Sequence, residues 1–360
     1  MYPNNQNGYN NGYPPNGGYN YTPPPFYGAN GGFYGQPLWM DPRESKRREE
    51  RRQIRKHMNW FGGASLLTLA FETVFMTLAV SVIMALGLNY SGFYETAAVY
   101  VIFSPLCIAL PFIIASKACK VRISDVVTFE KHSPILGIGV FLLSFWGIAV
   151  GNIASDLLLS LLPVLKSSSE AASLPSANGP REIITQLLYA SAVPALVEEF
   201  TFRGIVTGTC KRWGDKFAVV MGAAIFALVH GNLIQMPATF IAGLFMGYAY
   251  VRTGNLWTAV AIHFVNNEMS VFLSAFAGRF KFMNTVWFVL ALYFVWALLG
   301  FLGFLLVKLH DRRLGAKPAL KSYEGCLDPG GVAGVTASSP ALIIAVAIYF
   351  FYAVGVNFLL

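Results

Sequence analysis

The chain has 360 residues, of which 55% are hydrophobic and only 12% are charged, and its formal net charge is +8. A soluble domain needs more polar surface than this composition supplies, so we expect an all-α, polytopic transmembrane helical bundle. Many basic residues fall in short segments between apolar runs, so the positive charge indicates membrane orientation, and we expect no nucleic-acid partner.

The first 57 residues precede the apolar runs and divide into two segments. Residues 1–40 contain no charged side chain and repeat Tyr, Asn, Gly and Pro, which predicts a disordered tail. Residues 41–57 form a basic juxtamembrane segment, which predicts a cytoplasmic N-terminus that can contact anionic lipid headgroups.

Apolar runs of about 20 residues, enough to cross roughly 30 Å of hydrocarbon, fill most of the remaining chain. Lys and Arg concentrate in alternate connections between them, as expected of a membrane-embedded core over 59–308 and a cytoplasmic loop over 309–339. The four cysteines have no paired spacing and predict free thiols. We expect about eight or nine spans, the last being an additional helix, at about 59–88, 97–116, 135–163, 182–209, 217–235, 237–251, 255–278, 286–308 and 340–360.

Two adjacent carboxylates lie inside the fourth apolar run, where an ionisable side chain is costly unless it is paired or faces water. On a helix, Glu199 and Arg203 are four residues apart and meet on one face. Glu198 is turned away by about 100° and lacks that partner, which suits a general base in a cavity. The structural alternative is an ion pair that marks the end of the helix.

Two further polar groups follow at a similar depth. His230 lies in the next run, and His263 and Asn267 share a helical face two runs later. At 1.5 Å per residue, these three residues and Glu198 lie about 16–22 Å from the nearest basic residue at the cytoplasmic end of their run. Although each fragment alone is weak, the shared depth predicts one polar site within the membrane.

The residue types suit hydrolysis. A carboxylate, two imidazoles and a carboxamide can activate water and stabilise a tetrahedral oxyanion. The same groups allow a second interpretation, in which Glu198, His230 and His263 hold Zn²⁺ with an open position for water.

Three motifs together resemble a known family. Glu198-Glu199-x-x-x-Arg203, Phe226-x-x-x-His230 and His263-x-x-x-Asn267 are similar, in order and spacing, to the signature of the CPBP family over roughly 182–278. This family contains CAAX prenyl endopeptidases and bacteriocin-processing or immunity-associated (Abi-type) membrane proteins.

The resemblance implies an intramembrane endopeptidase of glutamate or metal-dependent type. It implies that Glu198 and His230 activate the water, that His263 and Asn267 form the oxyanion hole, and that Glu199 and Arg203 brace the first motif. Because a carboxamide is a poor Zn²⁺ ligand, we expect no cofactor, with Zn²⁺ as the alternative. The expected substrate is a membrane-associated protein or peptide in a bacterial cytoplasmic membrane.

Other functions remain open at this stage. A non-catalytic membrane scaffold or bacteriocin-immunity protein would keep the polar network for structure, and a transporter would use it as a proton relay. Among the remaining polar residues, Glu72 and Asp156 are expected to make hydrogen bonds between helices, with lining of the cavity as the alternative, and Glu268 points away from the site. Three other histidines are expected to be solvated: His57, His132 and His310.

Overall fold

The computed structural model describes residues 42–87, 93–163, 179–277, 279–313 and 320–359, and the predicted tail at 1–40 lies outside them. In these residues the regular structure is helical, apart from one bridge between Phe129 and Asn255. The predicted all-α class is confirmed. In chain order the helices are α1 (Pro42–Ala85), α2 (Phe93–Ala118), α3 (Ile123–Val126), α4 (Pro134–Leu161), α5 (Pro180–Trp213), α6 (Asp215–Val229), α7 (Gln235–Thr253), α8 (Leu256–Ala277), α9 (Val286–Arg313), α10 (Pro329–Ala337) and α11 (Pro340–Leu359).

Five helices in the described part of the chain are long and apolar enough to cross a membrane, namely α1, α2, α4, α5 and α9. The pair α10 and α11, bent by 62°, raises this number to six if the two form one span. The sequence predicted eight or nine spans at these helical positions. The difference falls on α6, α7 and α8, because α6 has only 15 residues and α7 and α8 carry polar residues within their apolar runs.

Helix α1 is longer than one membrane crossing requires. Its 44 residues extend about 66 Å at 1.5 Å per residue, whereas the hydrocarbon is about 30 Å thick. The basic run lies in its first turns and the apolar residues follow. The predicted juxtamembrane segment is therefore helical and continues α1 outside the hydrocarbon.

Helix α5 contains two π-helical stretches, Leu187–Ala192 and Glu199–Thr207. Such local widening of a helix is rare overall, but where it occurs it frequently lies at a functional site. Pro194 is the second residue after the first stretch and has no N–H for the carbonyl of Ala190, four residues earlier. The second stretch begins at Glu199, so the first motif lies where the winding of the helix changes.

Small residues let α5, α6 and α7 approach closely. A Cβ atom at Gly222 of α6 would collide with the Thr207 hydroxyl of α5. A Cβ atom at Gly243 of α7 would lie 3.1 Å from Ala223 and 3.4 Å from Nη2 of Arg203. The two glycines therefore set the spacing of the helices that carry the first and second motifs.

The predicted cytoplasmic loop at 309–339 is partly helical. Helix α9 continues to Arg313, and α10 occupies 329–337. The described part between them is tied to the bundle, since the Glu50 carboxylate accepts hydrogen bonds from the backbone N–H groups of Cys326 and Leu327 at 2.9 and 3.1 Å. The Asp215 carboxylate likewise accepts from the N–H of Lys321 at 2.7 Å.

One histidine expected to be solvated is buried. His57 is 1% exposed and its Nδ1 lies 2.7 Å from the carbonyl of Gln53. Its ring packs edge-on against Trp213 at 5.1 Å. The expectation was wrong because Trp213, at the end of α5, covers this face of α1. The four cysteines are free thiols, as predicted.

Candidate active site

The first motif places one carboxylate in the protein interior and the next at a cavity. Glu199 and Arg203 are both fully buried, and Nη1 of Arg203 donates to Oε1 of Glu199 at 2.5 Å. The Glu198 side chain has 14% of its surface exposed. The pairing expected from the four-residue spacing is therefore present, and Glu198 lies outside it.

His263 of α8 lies between these two carboxylates. Its Nδ1 is 2.7 Å from Oε1 of Glu199, and its Nε2 is 3.8 Å from Oε2 of Glu198. An ionised carboxylate can only accept, so Nδ1 donates to Glu199. This contact fixes the ring orientation and directs Nε2 toward Glu198, in the way that a carboxylate orients a catalytic or metal-bound histidine.

Phe226 of α6 occupies the centre of the site. The Arg203 guanidinium lies 4.3 Å from the centroid of the Phe226 ring, and this cation–π contact stabilises the positive charge of Arg203. The same ring packs edge-on against His230 at 4.6 Å and against His263 at 5.7 Å. The phenylalanine of the second motif thus contacts an arginine and two histidines from three different helices.

His230 follows the last residue of α6. Its Nδ1 lies 2.8 Å from the carbonyl of Phe226, one turn earlier, and donates to it because a carbonyl can only accept. Nε2 is consequently the nitrogen that is available to a ligand. Gly231 then turns the chain with φ +58°, a conformation that a residue with a side chain rarely adopts.

Asn267 links α8 back to α5. Its Nδ2 donates to the carbonyl of Ala190 at 3.1 Å, the same carbonyl that Pro194 cannot serve. Its Oδ1 accepts a hydrogen bond from Asn266 at 3.1 Å. One N–H of the Asn267 amide remains available for a reacting group.

A cavity of about 660 Å³ brings the motif residues together. Glu198, His230, His263 and Asn267 line it, whereas the buried Glu199 and Arg203 lie behind the lining. The four residues that the resemblance assigns to catalysis therefore share one cavity, and the two assigned to bracing pack behind them.

Several further polar residues line the cavity. Glu72 of α1 is one of them, which is the alternative given for it beside a hydrogen bond between helices. Asn152 of α4 and Asn266 and Ser270 of α8 also line it. Asn266 and Ser270 are one helical turn apart, and this spacing was the available sequence signal. By contrast Asp156 accepts a hydrogen bond from Tyr293 at 3.1 Å, which confirms the role expected for it.

The side chains of the cavity include residue types that can bind a metal ion. In the residues that the structure describes, no group of three His, Cys, Asp or Glu side chains is arranged to hold a metal ion. His230 and His263 each use Nδ1 for a hydrogen bond within the protein, which leaves Nε2 as the possible ligand. The chemistry of Glu198, His230 and His263 suits Zn²⁺, but their arrangement does not match a three-ligand site.

Comparisons with known proteins agree with this geometry. Residues 180–269 match the family described as "Type II CAAX prenyl endopeptidase Rce1-like". This segment is therefore similar to an Rce1-like domain. It begins at the first residue of α5, ends within α8, and contains the three motifs. The match confirms the resemblance to the CPBP family and supports a membrane CAAX-type protease at the family level.

A curated relative has a related description. Over 88 residues the chain is 26% identical to "Putative membrane peptidase YdiL" of Bacillus subtilis (strain 168). The aligned part covers 24% of this chain and 36% of that protein, so the chain spans about a third of the relative's length. No solved structure matches the chain.

Proposed function

We propose that this protein is an intramembrane endopeptidase that hydrolyses a peptide bond in a membrane-associated protein or peptide. The observation that carries the proposal is the position of His263, whose two nitrogens face the carboxylates of Glu199 and Glu198 at the wall of the cavity. A scaffold needs a paired network but gains nothing from a carboxylate that faces an open cavity.

Glu198 acts as the general base in this proposal. It lies in the cavity, outside the Glu199–Arg203 pair, so its carboxylate can accept a proton from a bound water. His230 lines the same cavity with Nε2 available and helps to hold that water. After attack on the scissile carbonyl, the proton held by Glu198 passes to the leaving amine.

Asn267 and His263 stabilise the oxyanion. Asn267 contributes the one N–H that Ala190 does not use. His263 can donate from Nε2 only when both ring nitrogens carry a proton, because Nδ1–H is already donated to Glu199. Glu199 supplies a negative charge beside such an imidazolium, since Glu198 holds the proton of the water at this stage.

The reaction is proposed to need no metal ion. A carboxylate base and two oxyanion donors already meet the two requirements of peptide hydrolysis, activation of water and stabilisation of the intermediate. If Zn²⁺ were bound instead, Glu198, His230 and His263 would hold it, and it would polarise the carbonyl or the water. Dialysis against a strong chelator distinguishes the two types.

The setting of the reaction completes the proposal. We propose a bacterial cytoplasmic membrane as the location, and the basic segment before α1 supports an N-terminus in the cytoplasm. The site then lies in the inner half of the bilayer or at its midplane. A substrate bond must therefore lie within the membrane or enter it from the inner surface.

The test compares protein termini in cells that express wild type or Glu198→Gln at matched abundance. Termini present only with the wild type identify substrates and support the general base. Glu182→Gln is the matched control, since this carboxylate is also on α5 but does not line the cavity. If wild type and Glu198→Gln give the same termini while a wild-type phenotype persists in the variant, the scaffold interpretation replaces the protease.

A further inference from the structure

The catalytic cavity continues into two more cavities along α8. A second cavity of about 290 Å³ shares four lining residues with it, and a third of about 530 Å³ shares five with the second. Shared lining residues make the three cavities neighbours along α8, and the second and third are together called the α8 groove below. The residues at the first junction are Ile148, Asn152, Asn266 and Ser270, and those at the second are Met269, Leu273, Met283, Phe288 and Leu292.

The α8 groove runs toward the connection between α8 and α9. Its lining reaches from Asn266, beside the catalytic residues, to Ala277 at the end of α8. Eleven residues of helix correspond to about 16 Å, which is roughly half of the hydrocarbon thickness. With a cytoplasmic N-terminus and each predicted span crossing once, the connection after the seventh span, 255–278, faces outward. The groove therefore covers the distance from the site to the outer end of the bundle.

Polar groups line the first part of this groove. Asn152 and Asp156 are one turn apart on α4, and Asn266 and Ser270 are one turn apart on α8. Asp156 is bonded to Tyr293, but the Asn152 amide makes no hydrogen bond with the described residues. An amide without a partner is costly in a membrane, so it suits a ligand that brings its own donors and acceptors.

The far part of the groove is apolar and aromatic. Phenylalanines of α8 and of the segment before α9 line it, and their rings contact one another, with centroids 4.4 Å apart for Phe272 and Phe276. Phe272 and Phe282 keep more than half of their surface exposed, at 55% and 58%. A ligand that fills the whole groove needs hydrogen-bonding groups near the catalytic cavity and apolar side chains farther away.

We propose that the α8 groove binds the part of a substrate's transmembrane segment that continues outward from the scissile bond, in extended conformation. This inference rests on the proposed protease function and names its substrate class as a membrane-spanning protein. A peptide backbone supplies the donors and acceptors that Asn152 and Asn266 can pair with, and its side chains fill the aromatic part. At about 3.3 Å per residue, roughly five extended residues cover the 16 Å.

The first test uses two substrates with the same cleaved sequence. One continues through the membrane, and the other ends one residue beyond the scissile bond. Leu273 lines both cavities of the groove but not the catalytic cavity, so Leu273→Trp fills the groove. The ratio of kcat/KM for the spanning substrate to that for the short one should fall at least tenfold. Leu298→Trp, on an exposed face of α9 that lines none of the three cavities, should leave the ratio within twofold.

The second test does not require cleavage. A photoreactive amino acid at position 273 in the Glu198→Gln variant should crosslink the spanning substrate, and the same group at position 298 should not. Crosslinks to lipid alone at position 273, or an unchanged ratio in Leu273→Trp, overturn the inference. If wild type cleaves neither substrate, the proposed function fails, while the crosslinks still report whether the groove binds the segment.

Discussion

Replacing Glu199 by Gln leaves the Arg203 guanidinium in the interior without a counter-charge. Both side chains are fully buried, and Arg203 has no described ionic partner besides Glu199. Removing one member of such a pair costs about 3–5 kcal/mol of unfolding free energy. At about 2–4 °C per kcal/mol for a protein of this size, the melting temperature in detergent should fall by roughly 6–20 °C.

The double variant Glu199→Gln/Arg203→Met separates the charge from the packing. With neither charge present, most of the lost stability should return, because an apolar side chain of similar length needs no counter-ion. Cleavage should be absent in both variants, since His263 loses the carboxylate that orients its ring. The control is Arg252→Met, which breaks a partly exposed pair with Asp311 and should lower the melting temperature by less than half as much.

The measurement is intrinsic-fluorescence melting of each purified variant beside the wild type, together with the cleavage assay. A fall of less than 2 °C in Glu199→Gln would show that water or another group reaches the Arg203 charge. If the double variant loses more stability than the single variants Glu199→Gln and Arg203→Met lose together, the claim that an uncompensated charge dominates the loss is refuted.

Three further predictions concern packing, pH and metal. Gly222→Ala should cost about 1–3 kcal/mol, because its Cβ would collide with α5, whereas Gly63→Ala, with nothing within 4 Å, should stabilise α1 slightly; melting curves compare the two. Burial raises the pKa of Glu50, but the hydrogen bonds from the Cys326 and Leu327 backbones outweigh this effect and hold the pKa below its ordinary value of 4.5. The stability that this contact contributes is therefore present above pH 4.5 and is lost as the pH falls through the lower folded-state pKa of Glu50. Limited proteolysis of 320–328 should increase over that fall in pH in the wild type and should show no such step in Glu50→Gln. Exhaustive dialysis against a chelator should leave the cleavage rate within twofold, and a loss that Zn²⁺ restores would establish the metal-dependent type.

The sequence predicted the helical class, the helix positions and the grouping of the three motifs. These succeed because an apolar run of membrane length and a costly polar residue inside it are both local signals. The predicted pairing of Glu199 with Arg203 depends only on helical spacing. The contact of His263 with both carboxylates needed the packing of α8 against α5, which no local pattern reports.

Other features depended on contacts between distant segments. Glu72 lines the cavity because of the way α1 is rotated in the bundle, and His57 is buried because Trp213 packs over it. The predicted eight or nine crossings counted every apolar run as a span, but α6 to α8 are shorter or more polar. Such helices can cross or enter a membrane only when neighbours cover them.

The π-helical stretches of α5 change what a one-residue deletion in this helix would do. A π-helical turn holds about one residue more than an α-helical turn, so deleting one residue from Glu199–Thr207 would favour ordinary winding. Because the lost residue and the tighter winding offset each other, the two ends of α5 would keep nearly the same rotation relative to each other. Glu198 could then still face the cavity while Trp213 covered His57, so a one-residue deletion there should be less damaging than one in an ordinary α-helical stretch, which turns the two ends by about 100°.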